Sequence, residues 1–420
     1  MAKITYNVST ASIPQVLNQF MRFIGQPQLK ARLKRIQQKF PRGGQHSSAM
    51  ARRYAIPIGL NRVYGRSASA PRGLADHDGG VSYKAISFAA AAVEVSRHLG
   101  PAARNILRGR VMDSLTAAGD ARSLAHEFRV ITTLARRGWD IEFTDFEQRA
   151  HYDFIARQDE REIEIECKNI TADCGSAVHV EDFEALANDL KNNILSNQHD
   201  NLVVRVDVAL ADRLPRKQEQ RKLMVQAVMG LLNRNSSGAA EMLGVSITAR
   251  FLEVSPVDVN NVESSTINAL REIGDEHNGA VVGISSKTEF IAIHVYSQRK
   301  SKVQDSVIRV FKDAASQLSY QRPGIIWAHF SDLENAELDD LIKIYRSGQF
   351  TLLQEIALKL FSEARYAHLA ALFFSGEAPV QRRGGPGSLI LHPPYYSQNG
   401  ILYPLWNRNC SLNKPFKELM

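Results

Sequence analysis

Apolar and charged residues alternate strictly along residues 162–168, and this pattern predicts a β-strand with one charged face. Ile163, Ile165 and Cys167 would face a core, because side chains on a strand repeat with period two. Neighbouring carboxylates on the other face repel one another, so that face calls for a counter-charge such as a divalent cation. The residues predicted there are Glu162, Glu164, Glu166 and Lys168.

A second informative pattern is a helix upstream of this strand. Leu124, Phe128 and Ile131 belong to an apolar stripe that predicts a helix over 120–137. Glu127 falls on that stripe. A carboxylate on the core-facing side of a helix is costly unless it is paired or binds a metal.

The remaining patterns give the order of elements around this helix and strand. They predict strands at 139–143, 152–156 and 162–169, a helix at 180–196 and a fourth strand at 202–210. Together with the upstream helix, the order is α-β-β-β-α-β.

Two runs, 152–156 and 161–168, resemble the signature of the PD-(D/E)xK nuclease superfamily, the restriction-endonuclease-like fold. In that family an Asp at the start of one strand and a (D/E)-x-K triplet on the next hold Mg²⁺ at a scissile phosphodiester. The matching residues here are Asp153, Glu166 and Lys168.

Three further features bear on this resemblance. Tyr152 stands where the family usually has Pro, at a position that the family holds loosely. The family commonly carries an acidic residue on the helix before its catalytic strands, and Glu127 matches that role. The predicted α-β-β-β-α-β order is that of the family core.

The resemblance implies a metal-dependent phosphodiester hydrolase. Asp153 and Glu166 would bind the ion directly, the backbone carbonyl of Cys167 would be a third ligand, and Glu127 would bind a second ion or a water of the first. Carboxylate ligands favour Mg²⁺ (or Mn²⁺) over softer metals. Lys168 would orient or activate the attacking water, or stabilise transition-state charge; the last role is favoured because nearby carboxylates favour the charged ammonium.

A structural explanation of the same residues stays open. The three glutamates of the strand could form the solvated face of an edge strand, with Arg161 and Lys168 as counter-charges. Glu127 would then pair with a nearby arginine, such as Arg129 or Arg136.

Charge is distributed unevenly along the 420 residues, whose net charge is +8. Residues 1–80 hold thirteen Lys and Arg against two acidic residues, which gives this segment +11. Clustered Lys and Arg bind phosphates without reading sequence. A flexible basic tail that aids solubility is the alternative. The candidate nucleic-acid-binding residues are Lys30, Lys34, Arg35, Arg52 and Arg53.

Composition shifts divide the chain into four predicted segments. They are a basic N-terminal extension or arm over 1–80, a nuclease-like domain over 81–235, a second α/β domain of unknown role over 240–380 and a C-terminal tail over 381–420. The fold class expected is α/β: a restriction-endonuclease-like core with a mixed sheet flanked by helices, plus a second domain of alternating strands and helices.

Cellular location is predicted from three negative features. No run of eighteen apolar residues occurs, the first residues lack the apolar region of a signal peptide, and three cysteines are too few for a disulfide framework. We therefore expect a cytoplasmic protein without a membrane partner.

The expected function is a Mg²⁺-dependent endonuclease acting on nucleic acid, with DNA favoured over RNA and a restriction or phage-defence role in view. Whether the chain forms a homodimer to cut both strands stays open. The alternatives are a nucleic-acid-binding protein on a catalytically inactive nuclease-like scaffold and an α/β interaction protein.

Overall fold

The described residues of the computed structural model fall into two compact units. The first unit takes the chain up to Thr171 and again from Ile308 onward, and the second takes the intervening part, so that it interrupts the first in sequence. The structure describes residues 10–39, 53–65, 81–116, 119–171, 173–196, 202–234, 236–242, 244–251, 279–285, 289–299, 302–331, 352–376, 401–406 and 410.

The N-terminal part of the first unit is helical. Helix α1 shows why these helices pack together, because Ile13, Leu17, Phe20 and Ile24 recur along one side and are all buried. Every helix in this part contributes buried apolar residues to one shared core. The helices are α1 (Ile13–Ile24), α2 (Gln26–Lys39), α3 (Ala55–Gly65), α4 (Val81–His98), α5 (Pro101–Ser114) and α6 (Ala121–Arg136).

This packing changes the prediction for residues 1–80. Their described parts, 10–39 and 53–65, are helices whose apolar sides lie in the core of the first unit. A flexible tail is therefore wrong for these residues, since Leu29, Leu33 and Leu60 would have to leave that core.

The described residues of the first unit form a sheet of six strands. They are β1 (Asp140–Glu142), β2 (Phe154–Gln158), β3 (Arg161–Thr171), β9 (Gly324–Ser331), β10 (Leu369–Gly376) and β11 (Ile401–Trp406), and they lie in that order across the sheet. Strands β1, β2 and β3 form an antiparallel meander, β3, β9 and β10 run parallel, and β11 pairs antiparallel with β10. This sheet is mixed, and β3 lies in its interior.

Helices cover both faces of this sheet. Ile163, Ile165 and Cys167 of β3 lie in the core that α6 helps to form, so the predicted apolar face of this strand is confirmed. On the opposite face, helix α9 (Val303–Gln317) places Phe311 edge-on against Phe374 of β10. Helix α10 (Leu352–Phe361) lies between β9 and β10 in sequence, where a parallel connection requires a crossover.

The second unit is a separate α/β arrangement. Its strand order is β5-β6-β4-β8-β7, with β4 and β8 parallel and the other pairs antiparallel. Alternate residues of β4, including Val204, Val206 and Val208, share an apolar core with residues of the helices described in this unit. The elements are α7 (Val180–Ser196), β4 (Leu202–Leu210), α8 (Gln218–Leu232), β5 (Gly238–Met242), β6 (Val245–Phe251), β7 (Gly279–Ser285) and β8 (Glu289–Ser297).

The fourth strand of the predicted nuclease-like core was placed wrongly. Residues 202–210 do form a strand, but it pairs with β6 and β8 in the sheet of the second unit. The strand beside β3 is β9, which comes after the second unit in sequence. The predicted ranges 81–235 and 240–380 accordingly differ from the two observed units. Both β4 and β9 are apolar strands preceded by a helix, and local pattern alone cannot choose between them.

The pairing of β3 with β9 closes a long interval of chain. Glu164 of β3 lies opposite Gly324 of β9, and the whole second unit lies between these residues in sequence. Loop-closure entropy rises only slowly with length, so a folded insertion at this point costs the first unit little stability.

Parts of two other predictions lie outside the described residues. These are residues 252–278 and 332–351 of the predicted second domain, and the predicted tail at 381–420 apart from 401–406 and Cys410. Among the residues that the structure describes, no helix combines the length and apolarity needed to span a bilayer.

Two stacked histidines between α6 and β9 give a test of this packing. His126 and His329 are 1% and 2% exposed, and their ring centroids are 5.2 Å apart. Burial lowers the pKa of His126 to about 3 and the pKa of His329 well below its ordinary value. His126 Nε2 donates to the carbonyl of Trp327 over 2.8 Å, and both rings are neutral in the folded protein.

We expect these histidines to make the protein less stable in acid. An unfolded His takes up a proton near pH 6.5, so the contribution is complete above that pH and is lost as pH falls toward the folded pKa. Near pH 5 the buried His126 should cost about 2 kcal/mol of unfolding free energy, and His329 acts in the same direction. The unfolding free energy of His126→Gln, measured by urea denaturation relative to wild type, should rise by about 2 kcal/mol as pH falls from about 7 to about 5. The exposed His151, changed to Gln, serves as the control, and equal slopes in all three proteins would contradict the expectation.

Candidate functional site

The predicted carboxylates are brought together by three elements of the first unit. Glu127 lies on α6, Asp153 immediately precedes β2, and Glu166 lies on β3. The antiparallel pairing of β2 with β3 carries Asp153 alongside β3, where its Oδ2 accepts the backbone N–H of Cys167 over 2.7 Å. We refer to Glu127, Asp153 and Glu166 as the carboxylate cluster.

Burial makes this cluster electrostatically unfavourable. Glu127 is 7% exposed and Glu166 only 3%. Burial, followed by the charge of Asp153, raises the pKa of Glu166 to about 8. Burial raises the pKa of Asp153 to about 6, although the N–H of Cys167 opposes this shift. Burial and the charge of Asp153 also raise the pKa of Glu127 well above its ordinary value. The three groups are therefore close enough to oppose one another's ionisation.

Two cations among the described residues lie against the cluster. Lys168 Nζ donates to Glu166 Oε1 and, over 2.6 Å, to Oε1 of Gln317 at the end of α9. Arg110 of α5 donates from Nη2 to Glu127 Oε1 over 2.7 Å. Within the described part of the chain, Glu166 Oε2 is buried and accepts no hydrogen bond. The described contacts of Lys168 and Arg110 therefore leave this oxygen of Glu166 without a hydrogen-bond donor.

The other two glutamates of β3 have structural partners. Glu164 is fully buried and accepts hydrogen bonds from the backbone N–H of Ser319, over 2.7 Å, and from the Ser319 hydroxyl. Glu162 forms ion pairs with Arg157 at 2.9 Å and with Arg322 at 2.6 Å. The contacts with Ser319 and Arg322 tie Glu164 and Glu162 to the chain that precedes β9.

These contacts also decide the structural explanation left open by the sequence. The solvated edge strand is wrong, because β3 has a neighbour on each side and two of its glutamates are buried. The described partner of Glu127 is Arg110, whereas Arg129, one of the two arginines expected from the sequence, contacts His329 at 3.3 Å.

Sequence reasoning missed three residues at the site: Arg110, Asp145 and Gln317. Arg110 bridges Glu127 and Asp145, which lies in the turn between β1 and β2. Gln317 contacts Lys168 although it is 149 residues away in sequence. Nothing in their spacing marks Arg110 or Gln317. Only the position of Asp145, in a segment adjoining the predicted Asp motif, could have drawn attention to it.

The residues fit a hard divalent cation in their chemistry. Buried carboxylates, a deficit of positive charge and an unsatisfied oxygen on Glu166 are what such an ion would relieve. The described side chains include no group of three or more His, Cys, Asp or Glu arranged to hold a metal. Lys168 and Arg110 instead contact Glu166 and Glu127 directly. Burial raises the pKa of the Cys167 thiol, so the carbonyl of this residue is the better candidate ligand.

Four of the five candidate nucleic-acid-binding residues are described. Lys30, Lys34 and Arg35 are exposed on α2, whose apolar side is buried. Arg53 is half-buried, and its guanidinium lies 6.0 Å from the ring centroid of the adjacent tyrosine. Arg52 lies outside the described residues. The exposed basic side of α2 is thus a surface on a packed helix.

Comparison with protein-family models, with curated proteins and with solved structures found no match to this chain. Function is therefore inferred from the chemistry of the described residues.

The raised pKa values predict how the protein without divalent ions responds to pH. A carboxyl whose folded pKa is raised stabilises the fold below its unfolded pKa and loses that contribution as pH rises through the folded value. For Asp153 and Glu166 the contribution to the unfolding free energy should fall between about pH 4 and about pH 8. For Glu166 this fall should reach roughly a few kcal/mol.

We expect Glu166→Gln to remove much of this loss, because a neutral amide has no charge to desolvate. The measurement is urea denaturation with a chelator present, from about pH 5 to about pH 8. Glu160→Gln is the matched control, since Glu160 is an exposed glutamate in the turn before β3. If the difference in unfolding free energy between Glu166→Gln and wild type does not change with pH, the unfavourable cluster is disproved.

Proposed function

We propose that this chain is a metal-dependent nuclease that hydrolyses phosphodiester bonds, with DNA as its substrate. One observation carries the proposal: Glu166 is buried beside the partly buried Asp153, one of its carboxylate oxygens accepts no hydrogen bond from the described residues, and Lys168 lies beside Glu166 on the same strand face. Such an arrangement is unfavourable for the fold alone and suits a site that binds a cation.

The arrangement of strands supports the resemblance to the restriction-endonuclease-like core. Helix α6 is followed by the antiparallel strands β1, β2 and β3, and β9 then lies parallel to β3 after helix α9. We therefore assign the second helix and fourth strand of an α-β-β-β-α-β core to α9 and β9. The second unit would be an insertion between β3 and α9.

We assign Asp153, Glu166 and the carbonyl of Cys167 as ligands of Mg²⁺ or Mn²⁺, with Glu127 binding a second ion or a coordinated water. When bound, such an ion polarises the phosphate and lowers the pKa of a bound water. Lys168 donates to phosphate oxygens and stabilises the charge that develops there. Gln317 holds Lys168 through its Oε1 and so orients the ammonium.

Two single variants test the catalytic assignment. Asp153→Asn removes a charged ligand and Lys168→Met removes the ammonium, and each should lower DNA cleavage by at least about 10²-fold. Cleavage of plasmid DNA and of RNA would be measured with Mg²⁺, with Mn²⁺ and with a chelator. Glu160→Gln is the control, and circular dichroism checks that every variant is folded.

Cleavage that persists undiminished in both variants would disprove the assignment. A second candidate function is nucleic-acid binding on a catalytically inactive scaffold, which is favoured by the contacts of Lys168 and Arg110 with the carboxylates. It predicts DNA binding without cleavage, and no Asp153-dependent binding of Mg²⁺ or Mn²⁺ in calorimetry.

We further propose that the exposed basic side of α2 binds the nucleic-acid backbone. Changing Lys30, Lys34 and Arg35 together to Gln should lower the slope of log affinity against log salt by up to roughly 3, because about one counterion is released per phosphate contact. Fluorescence anisotropy at several salt concentrations measures this slope. The control variant changes Arg213, Lys217 and Lys222 of the second unit to Gln, which alters the net charge by the same amount. If the two variants lower the salt slope equally, a specific role for α2 is excluded.

A further inference from the structure

Among the described residues, Arg110 is the cation that forms an ion pair with Glu127 of the carboxylate cluster. Its Nη2 lies 2.7 Å from Glu127 Oε1, its Nη1 contacts Asp145, and its guanidinium carbon lies 4.9 Å from the ring centroid of Phe146. Both ends of the guanidinium are therefore engaged by carboxylates, and its planar group rests on an aromatic ring. The sequence pattern did not identify this residue.

The charges around Glu127 explain why this position needs a cation. Asp153, Asp145 and Glu166 all disfavour ionisation of Glu127, which burial disfavours most, and Arg110 is the group that favours it. On the other side of the cluster, Lys168 forms an ion pair with Glu166. Each buried glutamate of the cluster thus has its own side-chain cation.

A guanidinium and a divalent ion cannot share Glu127 without cost. Two cations on one buried carboxylate repel each other strongly, because the interior screens charge poorly. The Arg110 side chain is 34% exposed and that of Asp145 is 40% exposed. Arg110 can therefore stay with Asp145 toward solvent while it releases Glu127.

We propose that Arg110 is an exchangeable counter-cation, which a divalent ion displaces from Glu127. Arg110 then stabilises the metal-free cluster and sets the ion concentration at which the site fills. This inference rests on the proposed metal site, and it concerns the cost of filling that site.

The test is the Mn²⁺ affinity of the full chain, measured by calorimetry. Arg110→Gln should bind Mn²⁺ more tightly than wild type, by about tenfold, because the ion no longer competes with a guanidinium. Arg110→Lys keeps a cation and should stay close to wild type. Arg108→Gln is the matched control, since Arg108 is an exposed arginine on the same helix.

Thermal unfolding supplies a second readout that does not depend on activity. Without divalent ions, Arg110→Gln should unfold at a lower temperature than wild type, and saturating Mn²⁺ should remove most of that difference. A side chain with only a structural role would leave the same difference with and without Mn²⁺.

The failure of this inference can be told from failure of the proposed function. If wild type binds Mn²⁺, Asp153→Asn does not, and Arg110→Gln binds it no more tightly, then the exchange is disproved and the metal site stands. If wild type binds no Mn²⁺, both the exchange and the proposed metal site are disproved.

Discussion

The rest of the candidate site depends on the burial of ionisable carboxylates at an interior strand. Glu166 lies on β3, which has hydrogen-bonded neighbouring strands on both sides. Only 3% of the Glu166 surface is exposed. Burial there penalises the charged form, and the adjacent Asp153 adds repulsion to that penalty. Every polar contact described around the cluster offsets part of this cost. A fold under no other constraint would place apolar residues at these positions.

The charged face of β3 has two distinct parts. Glu162 and Glu164 contact Arg322 and Ser319, and these contacts tie the strand to the chain that leads into β9. Glu166 instead belongs to the carboxylate cluster, together with the lysine that contacts it. The same alternating pattern therefore supplies structural anchors at one end of the strand and candidate chemistry at the other, and only the identity of the partners separates the two.

Much of the local structure was predictable from periodicity. The alternation of Ile163 and Ile165 with charged residues predicted the apolar face of β3, and the helical stripe predicted that Glu127 would be buried. These predictions succeeded because the spacing of apolar residues within a helix or strand indicates which of its sides is buried. The sequence alone also located Asp153 and Glu166, which lie close together because neighbouring strands of one meander carry them.

Tertiary structure alone decided which distant segments meet. It paired β3 with β9 instead of β4, and it brought Arg110 and Gln317 to the carboxylates. Residue spacing reports which face of a strand or helix is apolar but carries no information on which other segment will cover it. That choice depends on the packing of whole units, so the sequence determined the faces and the folded chain determined their partners.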